Sequence, residues 1–229
     1  MMDNEMTINI LVGGPREELP ENFWKNSFNE DHWIGADKGA VDLVKHHQSL
    51  LFAVGDFDSS SEEEIELVKE NVPELITFKP EKDYTDTELS VKLAIDKYHP
   101  QKITIYGATG GRIDHLLANI MFVLKPEFRF YADKIKIIDR RNIINFFLPG
   151  KYTINKEENF DYLAFIPLEE IKDLNLYDEK YKLNNANYAY PIALASNEFV
   201  GDKASFSFKS GLLSRRPSGL RKTKGYDNS

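Results

Sequence analysis

The chain has 229 residues, 41% of them aliphatic or aromatic and 29% charged, with a formal net charge of −8. This is the profile of a folded chain with a core of its own, enough for one large domain or two small ones. The acidic balance excludes general nucleic-acid binding, which demands a basic surface, and the lack of any cysteine excludes disulfides, thiolate zinc sites and a cysteine nucleophile.

Residues 1–6 carry Asp3 and Glu5 and no basic residue, and the apolar stretch 8–12 is too short for a signal-peptide core. No run reaches the roughly 18 apolar residues of a membrane helix, so the expected location is the cytoplasm, with no membrane partner. Residues 7–12 read as a strand ending in Gly13-Gly14-Pro15, and 33–36 as a short strand followed by a helix to about His46. Residues 51–54 have the continuous apolar character of a buried strand. Ser61 and Glu64 have capping-box spacing for the helix after it. Residues 75–78 give the next strand, and Thr85 with Glu88 repeats the capping-box spacing ahead of Leu89, Leu93 and Ala94.

Residues 102–106 are a strand. From Ile113, apolar residues fall at Leu116, Leu117, Ile120, Met121 and Leu124, the series of a core-facing helix. Residues 129–132 and 134–138 close this half with β-type sequence. Strands separated by helices predict an α/β domain with a mostly parallel sheet. After about Arg141 the texture changes. Residues 142–148, Pro149-Gly150 and 151–154 read as a hairpin, with further short strands at 162–166, 174–177, 192–195 and 204–208. No helix is expected there, so this half is read as a small antiparallel all-β domain. The tail from Arg215 reads as a frayed, solvated end.

Three segments in the first half carry chemistry. In Gly55-Asp56-Phe57-Asp58-Ser59-Ser60, an extended chain would turn Asp56 and Asp58 to the same side, so both could face one Mg²⁺, which is typically held by one or two carboxylates plus phosphates. A polar turn with one Asp capping the next helix is the competing reading. Asp83-Tyr84-Thr85-Asp86 opens a helix, where an acidic residue is favoured by the dipole alone, and Asp37 has the same ambiguity. Recurrence of acidic residues at strand ends, on the edge where open α/β sheets bind ligands, favours a metal and phosphate site. Gly107-Ala108-Thr109-Gly110-Gly111-Arg112-Ile113-Asp114-His115 supplies the complement. Its glycines and helix start offer backbone N–H groups to an anion, Arg112 can clamp phosphate with two prongs, and Asp114 either orients Arg112 or caps the helix. Neither a P-loop nor a dinucleotide-binding glycine pattern is present.

In this order the three segments resemble those of the thiamin pyrophosphokinases, with Ala36-Asp37-Lys38-Gly39 similar to a fourth acidic site and Ala195-Ser196-Asn197-Glu198-Phe199 similar to that family's thiamin-contacting element. The likeness runs over about 10–124 and is looser beyond. It implies an ATP- and Mg²⁺-binding catalytic domain over 1–140, of three α/β/α layers, and a β-sandwich domain over 141–229 for thiamin binding and dimerisation. It implies transfer of the diphosphoryl group of ATP to the thiamin hydroxyl, releasing AMP, in a homodimer with a shared active site. Carried over, Asp37, Asp56, Asp58 and Asp86 are catalytic, with Asp56, Asp58 and Asp86 holding Mg²⁺. Ser59, Asp83, Thr85, Thr109, Gly110, Gly111, Arg112, Asp114 and His115 face the nucleotide, and Ser196 and Asn197 meet thiamin. Diphosphoryl transfer to another alcohol, such as a hydroxymethylpterin, and a sensing module without turnover are the alternatives.

Overall fold

The structure, a computed structural model, describes residues 6–25, 32–78, 84–156, 160 and 162–218. The chain forms two compact units, Met1–Arg140 and Arg141–Ser229.

In the first unit, β1 (Thr7–Leu11), β2 (His32–Ala36), β3 (Leu50–Gly55), β4 (Leu75–Thr77), β5 (Lys102–Tyr106) and β6 (Ile135–Ile138) form an all-parallel array in the order β6-β5-β1-β2-β3-β4. Ile10 is in register with Ile34 on one side and Ile105 on the other, and all three are fully buried. Such runs are apolar throughout because helices cover both faces of a parallel sheet. α1 (Lys38–Lys45) and α2 (Glu62–Asn71) contribute Val41, Leu43, Val44 and Val68 to a cluster with Leu11, Trp33 and Ala53. α3 (Asp86–Tyr98), whose residues lie outside that cluster, packs on β1, β2 and β3. Ser61 and Thr85 cap α2 and α3 with both capping-box hydrogen bonds made.

Two elements of this unit differ from the sequence reading. The 129–132 run is not a strand: a short helix α5 (Pro126–Arg129) and a 3₁₀ turn at Ala132–Lys134 occupy it, started by Pro126 in the first turn, where a missing N–H costs nothing. α4 (Ile113–Met121) forms on the expected period, but its apolar stripe does not face the core. Only Asn119 is buried, while Ile113 is 74% exposed, Leu117 50% and Met121 51%.

The second unit packs β12 (Leu194–Glu198), β9 (Tyr162–Pro167), β14 (Leu213–Ser218) and β7 (Ile143–Phe147), in that order, against a sheet of β11 (Leu183–Tyr188), β10 (Ile171–Leu176), β13 (Lys203–Phe208) and β8 (Gly150–Asn155). All pairs are antiparallel. Leu163, Phe165 and Leu213 of one layer meet Leu174, Leu176 and Phe206 of the other, which is a β-sandwich core. The expected hairpin across Pro149-Gly150 is not formed. β7 pairs with β14 and β8 with β13, so the turn passes the chain from one layer to the other. Nor is Arg215 the start of a frayed end: it lies within β14, 3% exposed, with its guanidinium 5.8 Å from the centre of the Phe199 ring. Among the described residues no helix is long and apolar enough to cross a membrane.

Candidate active site

The chain leaves β1 toward β2 on one side and returns from β4 to β5 on the other, so the sheet order reverses between β1 and β5. The two loops that leave the sheet at that switch point border a crevice. Gly13-Gly14-Pro15 follows β1, and 107–112 follows β5; Val12 N donates to Tyr106 O at 3.0 Å and Gly14 N to Gly107 O at 2.9 Å. The backbones approach so closely that a Cβ on Gly14 would lie 2.0 Å from the Gly107 carbonyl oxygen. The result is a cleft of about 680 Å³, of the size that holds a small ligand.

Asp37, Asp56, Asp58, Ser59, Thr85, Asp86, Thr109, Gly111, Arg112 and His115 line it. Gly110 and Asp114 flank the lining residues, Asp83 lies outside the described residues, and Ser196 and Asn197 belong to the second unit. Sequence reasoning left unassigned Gly13, Gly14 and Pro15, Thr87 one residue after Asp86, and Asn119, whose side-chain amide donates to Ala108 O at 2.9 Å. Gly13-Gly14-Pro15 carried a usable signal, since it ends a strand as the acidic segments do.

Asp37 follows β2 in the left-handed region (φ 47°) and precedes α1 without capping it. Its Oδ1 instead accepts from Phe57 N at 3.2 Å, drawing the β2 and β3 ends together. Gly55 permits this, because a Cβ there would sit 1.9 Å from that oxygen. Asp86 heads α3, where Thr85 already serves as the cap, so the Asp86 carboxyl is turned to other use: it hydrogen-bonds Asp37. Burial, then the Asp86 charge and that shared hydrogen bond, push the Asp37 carboxyl up to about 7, with Asp56 adding to the effect.

The expectation that an extended backbone aligns Asp56 and Asp58 does not hold. Phe57 between them is buried and has φ 55°, and Asp58 N donates to Asp56 Oδ1 at 3.1 Å, so the segment is a tight turn. Both carboxylates reach the cleft by that route. Among the described residues no three acidic or histidine side chains converge as a ready-made metal cage. What the donor set offers is hard oxygen ligands gathered at one cleft, which suits a divalent cation that completes its shell with phosphate oxygens and water.

Across the cleft, Arg112 and Asp114 form a two-pronged ion pair, with Nε to Oδ1 at 3.1 Å, and the guanidinium holds the Asp114 carboxyl below the usual carboxylate range. Both side chains are largely exposed. Such a pair is weak in water and can yield to a polyphosphate. Asp114 thus orients Arg112, and the His115 N–H in the first turn of α4 also helps to hold its carboxyl low. The Thr109 hydroxyl donates to the buried Asp139 at 2.7 Å, which ties the loop to the end of β6.

In the second unit, Ser196 is exposed at an irregularity in the β12–β9 pairing, with φ 63°. Asn197 is 3% exposed. Its Oδ1 accepts from Tyr181 N and Glu198 N, each at 2.9 Å, and its Nδ2 donates to Tyr181 O at 2.8 Å. Ser196 therefore presents its hydroxyl outward, while the Asn197 amide is spent on the protein.

Comparison with known proteins gives a consistent set of relatives. The family described as thiamin pyrophosphokinase, catalytic domain, matches residues 21–138, and the thiamin pyrophosphokinase vitamin B1 binding domain matches 151–213. The chain is 40% identical over 211 residues to a thiamine pyrophosphokinase of Bacillus subtilis, covering 90% of this chain and 96% of the relative. Among solved structures, it is similar to a thiamin pyrophosphokinase family protein from Enterococcus faecalis, at 38% identity and a TM-score of 0.87, covering 94% of this chain and 100% of the other. A Lactobacillus plantarum protein matches at 46% identity and a TM-score of 0.84, covering 94% and 99%. Thiamin pyrophosphokinase from Candida albicans, at 17% identity and a TM-score of 0.73 over 94% of this chain and 90% of that one, shares the fold.

Proposed function

The chain belongs to the thiamin pyrophosphokinase family, and from that premise we propose that the cleft of its first unit performs the family reaction, transfer of diphosphate from ATP to the hydroxyl of thiamin, with release of AMP. The observation that carries this reading is the meeting, at one sheet switch point, of acidic residues from the ends of β2 and β3 and the start of α3 with the glycine-rich loop and Arg112 after β5.

The roles follow from what each group can do. The backbone N–H groups of 109–111, the start of α4 and Arg112 bind the polyphosphate, with Ser59, Thr85 and His115 at its margins. Asp83 is kept on the nucleotide side by the family likeness. Asp56, Asp58 and Asp86 would hold Mg²⁺, which when bound neutralises charge on the transferring phosphates. Asp37 positions Asp86 and the Phe57 turn, and its raised affinity for a proton equips it to take one from the thiamin hydroxyl. Transfers of this kind depend chiefly on positioning and charge neutralisation.

Thiamin recognition falls to the second unit, with Ser196 making the contact and Asn197 shaping it. The active species is a homodimer in which the β domain of one subunit completes the cleft of the other. The uncovered apolar stripe of α4 supports a partner surface beside the phosphate loop, since stripes of that kind mark association sites. A need for ATP fits a cytoplasmic setting.

Incubation with ATP, MgCl₂ and thiamin should yield thiamin diphosphate and AMP in equal amounts. Formation of ADP and thiamin monophosphate would overturn the diphosphoryl step, and turnover of another alcohol in preference to thiamin would move the substrate assignment.

A further inference from the structure

One acidic group outside the cleft is buried without full satisfaction. Glu179 lies between β10 and β11, is 0% exposed, and has an Oε1 with no hydrogen-bond partner among the described residues. A polar atom left in that state is costly, so its place in the fold calls for a reason.

The carboxyl folds back on its own turn, where Oε2 accepts from Asp178 N at 3.1 Å. The outer edge of that turn grips the end of β12. Glu179 and Phe199 form an antiparallel bridge, Lys180 N donates to Glu198 O at 3.1 Å, and Tyr181 exchanges two hydrogen bonds with the Asn197 amide. On its other side, Ser205 N donates to the Asp178 carboxylate at 2.6 Å, which fastens the turn to β13. Immediately before the gripped residues stands Ser196, exposed, at a break in register and in a left-handed conformation that a serine adopts only when its surroundings enforce it.

We propose that Glu179 is a positioning residue for thiamin: its buried carboxyl shapes the 178–181 turn that clamps β12 and so holds the Ser196 bulge in place. The proposal rests on the reading that Ser196 meets thiamin. It adds a residue that touches no substrate and sits outside the cleft. Burial pushes the Glu179 carboxyl up to about 7; backbone N–H groups of Glu179 and Asp178 and the charge of Lys182 oppose the rise, and the charge of Asp178 adds to it. The clamped turn therefore favours the protonated acid. Released to solvent, the group would titrate near 4.5, so the clamp is fully favoured below that pH, loses ground up to about 7, and is constant above.

The test compares Glu179→Ala, Glu179→Gln and Ser196→Trp by steady-state kinetics with thiamin and MgATP. Glu179→Ala should raise KM for thiamin about fivefold to tenfold while moving KM for ATP and kcat less than about twofold. Glu179→Gln, which keeps the shape and carries no charge, should restore the wild-type KM at low pH. The ratio of wild-type to Glu179→Gln KM for thiamin should rise as pH goes from about 5 to about 7 and then level off. An unchanged KM for thiamin in Glu179→Ala, or equal rises for both substrates, overturns the proposal. Should Glu179→Ala fail to fold, a flat KM ratio against pH does the same. Ser196→Trp separates the two ideas: if it leaves KM for thiamin intact, the thiamin-site reading itself fails, whereas a large rise there beside an inert Glu179→Ala defeats the clamp alone.

Discussion

The cleft of the first unit and the outer edge of the clamp in the second, where it grips β12, handle polar groups in opposite ways. The buried Glu179 behind that edge, whose Oε1 has no hydrogen-bond partner among the described residues, stands apart from this contrast. In the cleft, Asp37 and Asp86 crowd together beside Asp56, and Arg112 is held by its neighbour Asp114 in an exposed pair. In the clamp, the Asn197 amide makes three hydrogen bonds, the Asp178 carboxylate takes the Ser205 N–H, and Lys180 meets Glu198. On the proposed function, a site built to take up a metal and a migrating diphosphate would keep like charges close and counter-charges loosely tied, so that ligand binding relieves repulsion at little cost. A surface that recognises a fixed organic shape is better finished in advance, because every bond already made is ordering that the ligand need not supply.

The largest expected effects come from removing charge on the unfinished side. Asp56→Asn and Asp58→Asn should each lower kcat at least about 100-fold with circular dichroism unchanged. Near-normal turnover at saturating Mg²⁺ would reduce these residues to parts of a turn. Gly55→Ala sharpens the same point without touching a charge. Its methyl would drive the Asp37 carboxyl from the Phe57 N–H, so we expect roughly tenfold slower turnover and a loss of about 1–3 kcal/mol in stability, measured by urea unfolding. Wild-type activity in that variant would remove Asp37 from the chemistry.

Arg112→Lys should raise KM for ATP by roughly tenfold, since an ammonium cannot reproduce a two-pronged contact, and should leave KM for thiamin nearly constant. Equal rises in both constants would blur the division between the units. The smallest effect is a pH dependence. Asp37 holds its proton up to about 7 in the fold and releases it near 3.8 when unfolded, so it favours the folded state fully below 3.8 and ceases to do so as pH rises to about 7. Without Mg²⁺, the Tm of wild type should therefore fall relative to Asp37→Asn across that range, by about 2–4 °C for each kcal/mol involved. Parallel Tm curves for the two proteins would mean that Asp37 is not crowded.

Local signals in the sequence suffice where they are self-contained. The capping boxes at Ser61–Glu64 and Thr85–Glu88 formed as spaced, because both partners lie within one turn. The gathering of acidic strand ends on one edge followed from alternating strands and helices, since parallel strands bring their C-terminal ends together. What failed depended on distant partners. Pro149-Gly150 marks a turn, but nothing within it reveals that β7 and β8 leave for different layers. β11 and β14 were missed because Leu183-Asn184-Asn185-Ala186-Asn187-Tyr188 and Leu213-Ser214-Arg215-Arg216-Pro217-Ser218 are polar, and their strand character comes from pairing with β10 and with β9 and β7. In α4 the period announced an apolar face without saying what covers it. At Asp56 and Asp58 the left-handed Phe57 replaced an extended segment by a turn, a choice set by burial of the Phe57 ring and the Asp37 hydrogen bond.

The most direct test of the division between the two regions is a pair of calorimetric titrations on two variants, with thiamin and with the Mg²⁺ complex of α,β-methylene-ATP, whose diphosphoryl group cannot be transferred. Asp56→Asn should bind thiamin with wild-type affinity and lose at least about tenfold in affinity for the nucleotide. Ser196→Trp should do the reverse, keeping the nucleotide within about twofold and losing thiamin. If either variant loses both ligands while remaining folded, or if Ser196→Trp keeps thiamin and loses the nucleotide, the assignment of phosphate handling to the cleft and thiamin recognition to the β domain is contradicted.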